Sequence, residues 1–303
     1  MNGLRFGNLP TPFPDENCYS ILCRFAVRRG QINSTQVIHD LFRNSVNIRL
    51  GSYLFKPFKL RDIQDWYGSN EIPIQYGANH SCYPYYTMFL SPLFAEKVKE
   101  SFIGTSMTTG QAKRINGECG FARNHKQNLW YCPECVREDV LLRGETCWRR
   151  LPQMPGAVYC PIHGVKFLES GVRFREITGQ LIPANYALNH MPEPPPERGN
   201  VYSERFIALA RDIAWLLDKG FLFSDIEWIR RSFFEAAGTD LKQHLFYTIA
   251  MTSERENRFE DYLAAKIMKD SGKYAISMSI SRQIGTILCI EDRFGSVEKF
   301  YSS

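Results

Sequence analysis

Two short knuckles, each carrying two candidate metal ligands, constrain the fold of this chain more than any other feature of its sequence. The first reads CPEC from Cys132 to Cys135, and the second reads CPIH from Cys160 to His163, with 24 residues between them. Thiolate and imidazole ligands of tetrahedral zinc commonly arrive in such pairs, because a tight turn lets both side chains point at one centre. Together the four residues fill a first coordination shell and leave no position for a reacting water. The sequence therefore predicts one structural Zn2+.

Two other interpretations of the cysteines stay open. CPEC is also the spacing of a redox-active pair, and the same residues could be unrelated buried thiols. His125 is the nearest rival for the histidine ligand. Nine cysteines without a secretion signal argue against a disulfide framework. The six without paired spacing are predicted to be small buried residues: Cys18, Cys23, Cys82, Cys119, Cys147 and Cys289.

Residues 1–102 are predicted to form an N-terminal domain, a helix-turn-helix-like bundle of short helices. The proline-spaced start NLPTPFPDE is extended, Asp15 stands where an N-cap belongs, and the first helix stops at Gly30. A capping-box pattern begins a second helix at Asn33, and residues 60–67 indicate a third. Short helices joined by tight turns are compatible with a helix-turn-helix, although most such groups are packing units.

The rest of the chain divides into two further predicted domains, and the fold class is mainly α. Residues 103–180 are rich in turn residues and contain both knuckles, so we predict a small zinc-finger module of the CCCH type with short β-hairpins. A proline-rich linker around 192–196 then precedes helical periods, and we predict a C-terminal helical domain over 181–303. Its clearest amphipathic stripe comprises Phe206, Leu209, Ala210, Ile213, Leu216 and Leu217.

The charge of the chain is unevenly distributed. Residues 1–180 contain 22 Lys and Arg against 15 Asp and Glu, whereas residues 181–303 contain 15 against 17. The basic part is also the cysteine-rich part, which favours contact with nucleic acid, although an ordinary solvated surface is the simpler alternative. Arg149 and Arg150 beside Trp148 offer both phosphate charge and a stacking face. The candidate nucleic-acid contacts are Arg24, Arg28, Arg29, Lys113, Arg114, Arg123, Lys126, Arg149 and Arg150.

Three segments carry a resemblance to a known family. TPFPDENCYSILCRFAVRRG resembles the opening pattern of the TniQ/TnsD proteins, HSCYPYYTMFL is similar to their HT-x-x-PYY segment, and YCPECVRED with WRRLPQMPGAVYCPIHG is similar to their zinc signature. The resemblance covers about residues 8–170. Pro152 stands where the family commonly has a histidine, so this chain lacks an imidazole that could face DNA or support the metal ligands. Longer members carry a second CCCH site and further helix-turn-helix units, so this chain is either a short member or an N-terminal fragment.

The TniQ/TnsD proteins select target sites for bacterial transposons that use an AAA+ ATPase regulator and a separate transposase. The resemblance therefore implies an adaptor with two surfaces. One reads target DNA or docks on a DNA-bound guide-RNA effector (Cascade-like, as in CRISPR-associated transposons), and the other recruits the TnsC-like regulator. We expect the extended tail, around residues 6–13, to dock this partner together with the first helix, because prolines reduce the entropy lost on binding, although the tail could instead pack on its own domain. The candidate partner-binding residues are Phe6, Leu9, Pro12 and Phe13.

No catalytic motif stands out in the sequence, so we predict that the chain is not an enzyme. It has no GxxxxGK[ST], GxSxG or HExxH pattern and no acidic cluster suited to two metal ions. One alternative is a zinc-containing helix-turn-helix regulator without an ATPase partner. Another is a zinc-ribbon nuclease in which His125 or His80 acts as general base beside Mg2+. The chain has no apolar run of membrane-spanning length and no signal-peptide core, so we expect a cytoplasmic protein without membrane contact.

Overall fold

The computed structural model describes residues 9–30, 79–87, 128–174, 176–178, 180–189, 201–219 and, near the C-terminus, 284, 287–288, 290–292 and 294–302. Within these ranges the chain is mostly helical with one small sheet, which confirms the predicted fold class in its coarse form. The second and third predicted N-terminal helices and the proline-rich linker lie outside the described residues. The helices are α1 Cys18–Arg28, α2 Tyr83–Thr87, α3 Pro133–Arg143, α4 Ala184–Leu188, α5 Val201–Lys219 and α6 Val297–Ser302; the strands are β1 Asn128–Tyr131 and β2 Leu168–Arg173.

Helix α1 lies at the centre of the described structure. Its N-cap is Asn17, whose side-chain oxygen accepts the N–H of Ser20 at 2.9 Å, and Gly30 follows its end with a φ of +66°. The prediction that Asp15 is the N-cap is wrong. Asp15 has a φ of +58°, and its carboxylate is engaged by the guanidinium of Arg150, a stronger partner than a helix amide.

The two strands position the first knuckle. They are antiparallel, with Trp130 opposite Glu169 and Tyr131 opposite Leu168, and a bulge interrupts the register towards Asn128. The amide edge of β1 is closed by Gln153, because the Gln153 side chain accepts the Trp130 N–H at 3.1 Å and donates to the Trp130 carbonyl at 2.8 Å. Cys132 follows β1 directly, so this small sheet fixes where the knuckle begins.

Helix α5 packs on α2 and on the short 3-10 turn Leu151–Gln153 in the cysteine-rich part of the chain. Its residues Leu209, Ala210, Ile213, Leu216 and Leu217 are buried as the sequence predicted. Phe206 is half-buried and its ring stacks on Tyr159, with centroids 6.2 Å apart. Gly156 has a φ of +81°, and a Cβ placed there would lie 3.0 Å from Ile284 Cδ1. The described parts of the three predicted domains thus share one hydrophobic core, while the domain boundaries themselves stay a prediction.

A buried guanidinium joins these parts. The Arg150 side chain is 3% exposed; its Nε donates to Asp15 at 2.9 Å and its Nη2 to Asp218 at 2.8 Å. Its Nη1 donates to the carbonyls of Ser81 at 3.2 Å and Leu217 at 3.1 Å. A buried cation is costly unless its donors are satisfied. This network therefore fixes how three parts of the chain meet: residues 9–16, called the N-terminal segment below, the start of α2 and the end of α5.

A second buried guanidinium holds the N-terminal segment on α1. Arg24 is 4% exposed and pairs with Glu16 at 2.7 Å and with Glu145 at 2.9 Å. Its Nη1 also donates to the Thr11 carbonyl at 3.1 Å, and its guanidinium lies 3.7 Å from the centroid of the Phe13 ring. Burial opposes ionisation of Glu145, but hydrogen bonds from Arg24 and from Arg28 keep its pKa below the usual value, so it remains charged.

No helix within the described ranges combines the length and the apolar character that crossing a membrane would require.

Replacing Arg150 by Ala should lower the free energy of unfolding by about 3 kcal/mol, because it leaves Asp15 without its cation inside the structure. The measurement is urea denaturation followed by tryptophan fluorescence. The matched control is Arg137→Ala, which removes a surface pair with Glu134 (side chains 51% and 32% exposed) and should cost about 0.5 kcal/mol or less. An unfolding midpoint equal to that of the wild type would contradict the structural role of Arg150.

Candidate metal centre

The first knuckle is built into the start of a helix. Cys132 is the N-cap of α3, with φ −95° and ψ 121°, and its Sγ accepts the N–H of Cys135 at 3.4 Å. Pro133 occupies the first helical turn, where a missing N–H costs nothing. Since Cys132 and Cys135 lie either side of this first turn, both sulfur atoms point to the same side, where the helix dipole favours thiolates.

The second knuckle sits at the tip of a narrow hairpin. Tyr159 pairs with Lys166, and the Cys160 N–H donates to the Val165 carbonyl at 2.8 Å. Gly164 closes the turn by donating to the Cys160 carbonyl at 2.8 Å with a φ of +67°, a backbone conformation that glycine adopts without strain. The turn brings the ligand atoms of Cys160 and His163 to the same side.

The four predicted ligands come together, and four of the six distances between their ligand atoms match tetrahedral spacing. The Sγ atoms of Cys135 and Cys160 are 3.8 Å apart, and Nδ1 of His163 lies 3.6, 3.4 and 3.5 Å from the sulfur atoms of Cys132, Cys135 and Cys160. All four ligand atoms lie within 4.8 Å of one another. A tetrahedral zinc with bonds of about 2.3 Å to sulfur and 2.0 Å to nitrogen requires edges of about 3.8 and 3.5 Å. The group could therefore hold a metal ion, and its soft donor set suits zinc.

The electrostatics of the cluster also favour a cation. The pKa of the Cys160 thiol is lowered because the thiols of Cys132 and Cys135 hydrogen-bond to its sulfur and the amides of His163 and Ile162 point at it. Hydrogen bonding within the cluster and burial raise the pKa of the other two thiols, so without a metal ion one sulfur carries the charge and the other two keep their protons. The three cysteines are 2–4% exposed, so several thiolates at this distance would repel strongly without a positive charge between them. A redox pair formed by Cys132 and Cys135 alone would leave this third sulfur and the imidazole unexplained.

A carboxylate beyond the ligand set lies at ion-pair distance from the imidazole, without the angle of a hydrogen bond. Nε2 of His163 lies 3.0 Å from Oε1 of Glu138, while Nδ1 faces the sulfur atoms. Burial lowers the pKa of His163, but the Glu138 carboxylate and the Cys160 sulfur together outweigh this effect and raise it overall. A small rotation of the exposed Glu138 side chain would turn this contact into a hydrogen bond, which in metal sites fixes the tautomer of a bound histidine and increases its basicity. The sequence analysis missed Glu138, although its position on α3, about one helical turn after Cys135, was a usable signal.

The predicted stacking and phosphate site at residues 148–150 is wrong. Trp148 is fully buried, and its indole N–H donates to the Ile182 carbonyl at 2.8 Å. Arg150 is buried in the network described above. Arg149 is 14% exposed; it donates to both oxygens of Asp139 at 2.8 Å and to the Pro14 carbonyl at 2.7 Å. These side chains are committed to internal partners because burial of a cation demands them.

Of the other predicted nucleic-acid contacts, Arg24 is also buried, which corrects its assignment to a surface. Arg28 is 53% exposed and pairs with Glu145 at 2.8 Å, and Arg29 is half-buried beside the ring of Phe25. Lys113, Arg114, Arg123 and Lys126 lie outside the described residues.

The predicted partner-binding tail packs on its own domain where it is described. Leu9 is 6% exposed and belongs to the core, while Pro12 and Phe13 are half-buried. Phe6 lies outside the described residues. The alternative that the tail packs inward therefore holds for Leu9, because its apolar side chain has a place in the shared core.

The structure gives His80 a structural environment. Its Nδ1 lies 2.8 Å from the Glu16 carbonyl, and burial lowers its pKa to about 4. An imidazole with so low a pKa is a weak general base at neutral pH, which counts against the nuclease alternative for this residue. His125 lies outside the described residues. Cys18, Cys23, Cys82 and Cys147 are buried and form no disulfide within the described ranges, as predicted for thiols without paired spacing.

We expect one zinc per chain by elemental analysis, lost in Cys132→Ala and in His163→Ala because three ligands hold the ion less tightly than four. Structural zinc contributes on the order of 10 kcal/mol to folding of small modules, so both variants should also melt at a lower temperature. Cys147→Ser is the control, since it removes a buried thiol outside the cluster and should retain the metal. Metal-free wild-type protein purified with zinc present would contradict the site.

Glu138→Gln should weaken zinc affinity by about tenfold, because an amide supports the metal-bound imidazole less well than a carboxylate. Competition with a chromophoric chelator measures this change. Glu134→Gln, a carboxylate of the same helix that pairs only with Arg137 among the contacts described, serves as the matched control. Equal affinities for the two variants would show that Glu138 does not support the ligand.

Comparison with known proteins agrees with this architecture. The TniQ family model matches residues 9–167, more than half of the chain. The chain is also 24% identical over 161 residues to the transposon Tn7 transposition protein TnsD of Escherichia coli, a match that covers 52% of this chain and 30% of that protein. The chain thus spans under a third of that relative's length. Since the family match extends from the buried N-terminal segment to just beyond the second knuckle, the chain belongs to the TniQ family.

Proposed function

We propose that this chain is a non-catalytic target-selection adaptor of a bacterial transposon. It recognises target DNA, or a guide-RNA effector bound to DNA, and recruits an AAA+ transposition regulator. The observation that carries the proposal is the family match over residues 9–167, together with a relative named as a transposition protein. The proposed cytoplasmic location follows from an activity on DNA.

The metal centre supports a structural role for zinc in this adaptor. Four protein ligands around a tetrahedral ion leave no open position at which a substrate or a nucleophilic water could bind. Zinc at Cys132, Cys135, Cys160 and His163 would hold the start of α3 against the second knuckle. Its contribution is to folding and to the shape of the surrounding surface, not to a reaction.

The exposed side of the metal module is our proposed contact for the regulator. Four of the five large hydrophobic residues exposed in the described structure lie here: Val140 at 41%, Leu141 at 78%, Leu142 at 76% and Ile162 at 73%. Leu141 and Leu142 follow Glu138 by one helical turn, and Glu138 contacts the imidazole next to Ile162. The Glu138 carboxylate would repel phosphate. The apolar side chains around it suit a protein partner that offers apolar and basic residues.

This surface complements the tail proposed from the sequence. Leu9 is buried, so the tail can contribute only its half-buried residues Pro12 and Phe13 and the segment before residue 9. The proposed contacts with DNA are then the exposed Arg28 and four basic residues at 113, 114, 123 and 126. These four lie outside the described structure. With so few phosphate contacts, binding to DNA alone should be weak and strongly dependent on salt.

The decisive experiment is a pull-down of the AAA+ regulator encoded by the same transposon, with the full chain, ATP and target DNA. The wild type should retain the regulator and should not cleave DNA with Mg2+. Leu141→Ser combined with Leu142→Ser should reduce recruitment by about tenfold or more, because apolar anchors dominate such interfaces. Tyr186→Ser, a change of an exposed apolar residue on α4, is the matched control.

The outcomes separate the functions. Recruitment that survives the double substitution would remove the proposed surface but keep the adaptor. If no nucleotide condition yields recruitment and the chain binds one DNA sequence specifically, it is a regulator instead. Cleavage of DNA by repurified protein would make it a nuclease.

A further inference from the structure

We propose that the metal centre and the N-terminal segment, residues 9–16, form a metal-controlled latch, in which the metal keeps the segment docked through Asp139 and loss of the metal releases it. This inference rests on the proposed metal site and not on target selection. It assigns a positioning role to a residue that binds no metal and lies outside both knuckles.

Few apolar contacts hold the orientation of α3. The buried residues of this helix are Cys135 and Asp139, which lie four positions apart and therefore on the same side. The apolar residues Val140, Leu141 and Leu142 point to solvent. Val136 is the one apolar residue of the helix that packs against the core, and it is only partly buried. Hydrophobic packing therefore contributes little to the rotation of the helix about its axis, and the ligands at its start and Asp139 one turn later hold it as well.

Asp139 is surrounded by a cluster of hydrogen-bond donors. This carboxylate is 1% exposed and accepts both 2.8 Å hydrogen bonds from Nη2 of Arg149. It also pairs with Nη1 of Arg143 and accepts the hydroxyl of Thr146 at 3.3 Å. A buried carboxylate with two cations tolerates little displacement, because each lost donor leaves charge unpaired.

The two cations on Asp139 also contact the N-terminal segment. Nη1 of Arg149 donates to the Pro14 carbonyl at 2.7 Å, and the backbones of Arg149 and Glu16 form an antiparallel bridge. The Arg143 guanidinium lies 4.9 Å from the centroid of the Phe13 ring. Asp139 thus holds both arginines that grip the segment from the side of α3.

The segment also offers amides that report on its docking. The Phe13 N–H donates to Glu16 Oε2 at 2.8 Å, and the Glu16 N–H donates to the Phe13 carbonyl at 3.1 Å. The Asn17 N–H donates to the Trp148 carbonyl at 3.0 Å, across to the loop that contains Arg149. When the segment undocks, the Asn17 amide loses its partner directly, and the turn from Phe13 to Glu16 loses the contacts with Arg149 and Arg143 that hold it closed, so all three amides become available to exchange with water.

Linkage makes the latch reciprocal. If the metal stabilises the docked segment, the docked segment must raise the affinity for the metal by the same factor, typically about 5–150-fold for coupled sites. A merely structural salt bridge at Asp139 would change the stability of the protein without changing its affinity for zinc.

The first test is hydrogen exchange of the full chain at the amides of Phe13, Glu16 and Asn17. In zinc-loaded Asp139→Asn, exchange at these amides should rise by about tenfold or more, as it should in chelator-stripped wild type, while the amides of residues 209–217 in α5 stay protected. Zinc-loaded Glu134→Gln, which alters a carboxylate of the same helix outside the latch, should resemble the wild type. Wild-type protection in zinc-loaded Asp139→Asn would overturn the latch. Loss of protection in α5 on stripping would also overturn it, because the metal would then hold the whole fold.

The second test is zinc affinity of Phe13→Ala, measured by chelator competition. We expect it to fall by about fivefold or more, although Phe13 does not contact the metal. Thr11→Ala, which changes an exposed side chain of the same segment, should keep wild-type affinity. This result decides the question even if Asp139→Asn fails to fold or to load zinc: reduced affinity in Phe13→Ala supports the latch, and unchanged affinity overturns it.

Discussion

The buried guanidinium of Arg150 is the interaction on which the rest of the described structure depends. It reaches the N-terminal segment through Asp15, the start of α2 through the Ser81 carbonyl, and α5 through Leu217 and Asp218. A hydrophobic core accepts many packings of similar energy, but a buried cation with five donors accepts very few. The network therefore selects one arrangement of three segments that are far apart in the sequence, at the cost of desolvating a charge.

The metal centre and this network solve different problems. The two knuckles organise residues 132–163 locally, and their ligands need only a helix start and a hairpin turn to meet. Alone, they would fix a small module with no defined place in the domain. Arg149, next to Arg150, connects the two systems, because its guanidinium joins Asp139 on the metal-anchored helix to the carbonyl of Pro14. The order of the N-terminal segment and the geometry of the metal module are consequently parts of one arrangement.

The residues that carry the family resemblance acquire a physical meaning from these contacts. Inside the structure, arginines pair with the carboxylates of Asp15 and Glu16 in the N-terminal motif. Carboxylates likewise pair with Arg149 and Arg150 in the WRRLPQMPG segment, and Trp148 of that segment fills the core. Charged residues in a basic, cysteine-rich region suggested contact with phosphate. In this chain they instead hold the two ends of the family region together. The exposed surface of α3 carries apolar side chains, which is the reverse of an ordinary amphipathic helix and directs attention to protein partners.

The sequence by itself determined what depends on spacing along the chain. Two ligand pairs at knuckle spacing are enough to predict the members of the metal cluster, because each turn is local, and the apolar period over residues 209–217 is enough to predict the buried side of α5. Tertiary structure decided which polar residues are inside. Nothing in the neighbourhood of Arg24, Arg149 or Arg150 distinguishes a solvated cation from a buried one, since the deciding partners Glu145, Asp139 and Asp15 come from elsewhere in the chain. The misplaced N-cap has the same cause: Asn17 caps α1, while the Asp15 carboxylate binds a guanidinium more than a hundred residues away in the chain.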